Sequence, residues 1–173
     1  MNADQATFLT QFFANMFENE CKTTAKVLAA VPDSGRDYKP DAKSRTAWEL
    51  TTHIALADVW FLDSIMNGKF EFNPDAETQA AAKFKTVNDV VEFYNRELPA
   101  RVTKLRALPA DQLTRVVDFF GMMQSPAAGY LGLANNHSIH HRGQLAAYLR
   151  AMGGKVPSIY GPTADDPMPS AAS

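Results

Sequence analysis

Asn136-His137-Ser138-Ile139-His140-His141-Arg142-Gly143-Gln144-Leu145 is the stretch whose reading decides the fold. It lies inside a segment opened by Ser125-Pro126, an N-cap followed by a proline at the first helical position, and closed after Met152 by Gly153-Gly154. That punctuation predicts one long helix. Within it His137 and His141 stand four residues apart, so their side chains lie about 40° apart around the axis and one turn displaced along it. Tyr130, Ala134, Leu145 and Tyr148 share their stripe, which turns the pair toward a protein interior. His140, about 100° round the helix from His141, reads as a flanking residue.

Upstream, three more helices carry the same kind of stripe. From about Asp4, a possible cap, to Val31, the positions Phe8, Phe12, Met16, Thr23, Val27 and Val31 recur mostly every three or four residues. Pro32, Gly35 and Pro40 interrupt that pattern, and a second helix follows from about Ser44, with Thr46 and Glu49 at capping-box spacing. Its face carries Leu50, Ile54, Ala57, Trp60, Phe61 and Ile65. Thr86 starts a third, with Val87, Val90, Val91, Tyr94, Leu98, Val102 and Leu105 inward and Pro99 expected to kink it. The links after Asn67-Gly68 and from Leu108 to Gln124 are longer than antiparallel neighbours need, and Val116 to Phe120 reads as a short β-like stretch. The expected architecture is all-α, a four-helix bundle with long crossover connections over residues 1–156. An irregular, proline-rich tail over 157–173 is expected to have local disorder at its small-residue end.

With 46% hydrophobic residues in 173, the chain can bury one core unaided. The 17 basic and 19 acidic side chains nearly cancel and form no basic patch, which argues against a nucleic-acid partner. Cys21 stands alone, so neither an internal disulfide nor a cysteine-based zinc knuckle is available, and it reads as a small buried apolar residue. No signal-peptide pattern opens the chain and no apolar run approaches the ~20 residues of a membrane span, so the expected location is cytoplasmic.

His53 falls in the middle of the second helix on the face of Leu50, Ala57 and Trp60, so it too is expected to point inward. Three inward imidazoles need hydrogen-bond partners or a shared ion, because an unpaired polar group in a core costs a few kcal/mol. Neutral imidazole suits zinc, nickel, copper and ferrous iron, and three protein nitrogens leave coordination positions free for water or substrate. The bland alternative is a set of surface or hydrogen-bonded histidines, and spacing by itself does not choose between the two. No Glu-x-x-His, His-Glu-x-x-His, phosphate-binding glycine loop or serine nucleophile elbow occurs.

The run from Asn136 to Leu145, with Tyr148-Leu149-Arg150 and Pro157-Ser158-Ile159-Tyr160-Gly161 after it and Arg45-Thr46-Ala47-Trp48-Glu49-Leu50-Thr51-Thr52-His53-Ile54-Ala55 before it, resembles the DinB-like superfamily. Members of that superfamily include bacillithiol transferases and mycothiol-dependent maleylpyruvate isomerases. The resemblance implies helices in up-down-down-up order, frequent homodimers, and His53, His137 and His141 as ligands of a divalent transition metal such as zinc, nickel or iron. It implies a small-molecule substrate, with a metal-activated low-molecular-weight thiol attacking an electrophile. A zinc-hydrolase chemistry and a bundle whose metal only supports folding or senses supply remain open beside it.

Several residues near the motif carry weaker expectations. Glu20 lines either a pocket or, preferably, a surface or dimer interface, and Glu49 either orients His53 or serves the capping box alone. Arg142 and Gln144 lie off the ligand face and read as structural. Gly143, in mid-helix at ~1 kcal/mol relative to alanine, implies close approach of a neighbouring helix. Phe8, Phe12, Phe13 and Phe17 read as core or interface.

Overall fold

The computed structural model of the chain describes residues 1–168. The small residues where the sequence predicts local disorder lie outside them. Four long helices dominate: α1 (Ala3–Ala29), α2 (Ala47–Asn67), α4 (Val87–Arg106) and α6 (Tyr130–Leu149). Shorter elements fill the links, namely α3 (Pro74–Ala81), α5 (Ala110–Thr114) and an antiparallel hairpin of β1 (Val116–Phe119) and β2 (Met123–Pro126).

Three of the long helices begin where side chains satisfy their first amide groups. Asn2 and Gln5 form a reciprocal capping box at α1, so the cap is Asn2 and not Asp4, and Thr46 with Glu49 does the same at α2. Thr86 and Asp89 cap α4, which runs unbroken through Pro99. Ser125-Pro126 does not open α6. Those residues end β2, and a single 3-10 turn, Ala127–Gly129, leads into the helix. Proline at the end of a two-stranded ribbon forfeits no ladder bond, which is why a helix-start signature fits equally well there.

Each long helix packs on two others: α1 and α2 both pack on α4 and α6. Named contacts give the directions. Tyr94 and Arg101 of α4 meet Asp58 and Asp63 of α2, numbers rising together, so those helices are parallel. His141, Ser138 and Tyr130 of α6 meet His53, Asp58 and Phe70, numbers opposed, so α2 and α6 are antiparallel. Asn15 reaches Arg106 while Asp33, just past α1, caps Val87, making α1 and α4 antiparallel. The order is therefore up-down-down-up, with the α1–α2 and α4–α6 links joining helices that are not packing neighbours.

The core holds Leu50, Ile54, Leu62, Leu98, Leu131 and Leu145, each at most 1% exposed. On α1 the inward stripe is Ala6, Thr10, Ala14, Phe17, Thr24 and Val27. The phenylalanine cluster divides accordingly: Phe17 is buried and Phe13 packs against the core, but Phe8 and Phe12 are 72% and 50% exposed. Gly143 departs from expectation as well, since a Cβ built there would meet nothing within 4 Å. Among the described residues no helix is long and apolar enough to cross a membrane.

Candidate metal centre

The antiparallel pairing of α2 with α6 sets His53, two turns into α2, opposite the middle of α6. His53 Nε2 and His137 Nε2 are 3.3 Å apart. One ring nitrogen from each of His53, His137 and His141 lies within 4.8 Å of the other two, and all three residues are half-buried. His140 stays outside this group on the exposed face of α6, its ring against that of His141.

Two of the rings are held from behind. His53 Nδ1–H donates to Glu77 Oε1 at 2.9 Å, because a carboxylate can only accept, and this leaves Nε2 as the bare nitrogen facing His137. Glu77 sits on α3, a helix within the long link that follows Asn67-Gly68. Asn73-Pro74, the N-cap and first-turn proline of that helix, was the signal that would have found it. Glu49 does not hold His53 and serves the capping box alone. His141 Nδ1–H donates to Gln144 Oε1 at 2.8 Å, so Gln144, one turn on, positions a candidate ligand.

Burial lowers the pKa of all three imidazoles. The His137 pKa falls to about 3, through burial first and then the neighbouring rings of His141 and His53. His141 is lowered by burial against the opposing bond to Gln144, and His53 by burial against the opposing pull of Glu77. At neutral pH the rings are uncharged, the form in which imidazole binds a metal.

The donor set fits an ion better than it fits protons. A proton on His137 Nε2 satisfies one of the two bare nitrogens opposite it, whereas one cation accepts a lone pair from every ring. His137 Nδ1 is buried without a protein partner. Asp58 is buried and accepts hydrogen bonds from Tyr94 at 2.8 Å and Ser138 at 2.7 Å, tying α2, α4 and α6 together. Burial pushes its pKa up to about 7.

Glu20 lies away from the histidines. Its carboxylate pairs with Arg142, which is 1% exposed, and also accepts from the Tyr160 hydroxyl. Cys21 is partly buried and burial raises its thiol pKa, so nothing activates it.

A cavity of about 510 Å³ opens beside the trio, lined by His53 and His137 together with Trp60, Phe61, Phe119 and Phe120.

The sequence profile of the DinB family matches residues 4–170. The chain belongs to the DinB family. Among relatives, the DinB-family protein is 27% identical to YrdA of Bacillus subtilis strain 168 over 159 residues, 89% of either chain. It is 32% identical to YjoA of the same organism over 121 residues, 67% of this chain and 73% of YjoA. The crystal structure of the DinB-like YjoA superposes with a TM-score of 0.68 at 26% identity, covering 85% of this chain and 96% of that one. The mycothiol-dependent maleylpyruvate isomerase shares the fold at a TM-score of 0.53 and 13% identity, over 92% of this chain and 66% of the isomerase.

Proposed function

We propose that His53, His137 and His141 hold one divalent transition-metal ion, zinc, nickel or ferrous iron, and that the protein is a cytoplasmic enzyme joining a low-molecular-weight thiol to an electrophilic small molecule. The convergence of three uncharged imidazoles from two helices, two of them lining an apolar cavity, carries this reading. Likeness in fold to a mycothiol-dependent isomerase supports the thiol part. An ion there supplies Lewis acidity, lowering the proton affinity of a sulfur nucleophile. The chain's own residues do the remainder. Glu77 and Gln144 fix the tautomers of His53 and His141, so two nitrogens are presented without rearrangement. Aromatic walls exclude water from the side on which the electrophile arrives, which strengthens every electrostatic interaction inside.

Elemental analysis after dialysis is expected to find about one ion per chain, a stoichiometry set by three ligands and one site. His53→Ala, His137→Ala and His141→Ala are each expected to lose it, and His140→Ala to keep it. Retention by His53→Ala overturns the triad. Metal-loaded protein is then offered chlorodinitrobenzene with a panel of bacterial thiols, and a metal-dependent S-conjugate is the expected product. Failure with every thiol removes the transferase reading and leaves the metal centre standing.

A further inference from the structure

The cavity beside the histidines specifies more than access. Its volume of about 510 Å³ suits a small molecule, and neither lysine nor arginine lines it. Of the two carboxylates at its edge, Glu77 is engaged by His53 and Glu71 by Lys69. The basic side chains Lys39, Lys43 and Arg45 line a separate polar cleft that shares only Glu77 with it. Away from the histidines, a charged group entering the aromatic cavity would thus be stripped of water and meet no lysine or arginine, while an apolar group meets rings on several sides.

The mouth of the cavity carries an independent sign. Phe120 has φ 55°, and among the described residues it is the sole non-glycine with positive φ. It occupies the turn of the β1–β2 hairpin, where Met122 N–H donates to the Phe119 carbonyl at 3.0 Å and Gly121 has φ 73°. A turn whose two central residues both take positive φ is ordinarily filled by Asn-Gly, and a bulky side chain there is disfavoured. Core burial does not account for it, because Phe120 remains 45% exposed. Its ring lies parallel to the Trp60 indole, within 4° at a centroid distance of 6.5 Å. Phe72, 60% exposed, meets the same indole from the segment before α3, and Trp60 Nε1–H donates to the Glu71 carbonyl at 2.8 Å, fixing that segment. Two separate parts of the chain therefore bring solvent-exposed aromatic rings against the partly buried Trp60 of a third, one of them on strained backbone.

Building on the metal-dependent reading above, we propose that the substrate places a neutral, ring-sized apolar group, next to its reacting atom, in the cavity bounded by α2, α3 and the β1–β2 hairpin. Specificity then comes from Trp60, Phe72 and Phe120, and from the absence of any lysine or arginine in the lining.

The probe is 4-fluorotoluene, which has no atom that coordinates a metal, titrated into metal-loaded protein and followed by fluorine NMR, with metal content measured on the same sample. Saturable binding is expected. Ala80→Trp, which fills the cavity from α3, is expected to weaken it at least about tenfold with metal content unchanged. Phe120→Asn, which suits the turn, is expected to weaken binding without lowering the melting temperature, so a fold-intact variant is available should the tryptophan disturb α3. No saturation with metal-loaded wild type, or equal affinity in both variants, overturns the proposal. Saturation by wild-type protein that takes up no metal removes the metal reading and leaves the cavity assignment in place.

Discussion

Glu77 is the side chain on which the presentation of His53 depends. Its carboxylate fixes which imidazole nitrogen is bare and how the ring is turned, and loss of such a partner typically weakens metal binding by about 10–100-fold. Glu77→Ala is therefore expected to weaken affinity by about that factor in a chelator competition, with helix content unchanged because alanine suits the partly exposed face of α3. An unchanged affinity would reduce Glu77 to a surface partner. The three histidines were legible in the sequence because helical spacing and the phase of neighbouring apolar residues fix where they point. Glu77 was not, since it approaches from another helix 24 positions away and no local period links the two. Gln144 is an intermediate case. Three residues from His141, it is close enough to be read from helix geometry, but spacing alone does not say that its amide oxygen takes the ring's Nδ1–H.

Among the elements, α6 carries two of the three histidines and offers the sharpest contrast between reading and structure. Gly143 looks like a helix-contact glycine, yet it is exposed and a methyl group there finds open space. Gly143→Ala is accordingly expected to stabilise the protein by roughly 0.5–1 kcal/mol, raising the melting temperature by about 1–4 °C at fixed metal content. A fall would restore the close-contact reading. The long helices were legible because each inward stripe spans several turns. What failed was phase and short elements. In the first half of α1 large apolar side chains mark the wrong face: Ala6, Thr10 and Ala14 turn inward while Phe8 and Phe12 remain outside. Periodicity weighted by hydrophobicity favours the phenylalanines, whereas packing selects the residues that fit. The eight-residue α3 buries no residue fully, so it left no stripe to read.

In the whole molecule, the up-down-down-up order sets α1 and α6 parallel, and their union is sealed by charge as well as by apolar contact. Arg142 of α6 donates to Glu20 and Thr24 of α1 and to the hydroxyl of Tyr160, so one buried guanidinium joins two helices to the segment that follows them. That segment is itself anchored: Asp165 accepts from Arg150 and from the Val156 amide, and Asp166 from Ser158. Removing only the carboxylate leaves the cation desolvated with neutral partners. Glu20→Ala is thus expected to cost about 3 kcal/mol in urea unfolding, the low end for a broken buried pair because the Glu20 side chain is 15% exposed. The double variant Glu20→Leu with Arg142→Met removes both charges and is expected to recover most of that loss, since the desolvation cost disappears with the ions. Should Glu20→Ala cost less than about 1 kcal/mol, water must reach Arg142, and the pair would rank with ordinary surface bridges. Because Arg142 adjoins His141, metal content measured on the same variants separates a general loosening of α6 from a loss of stability confined to the tail.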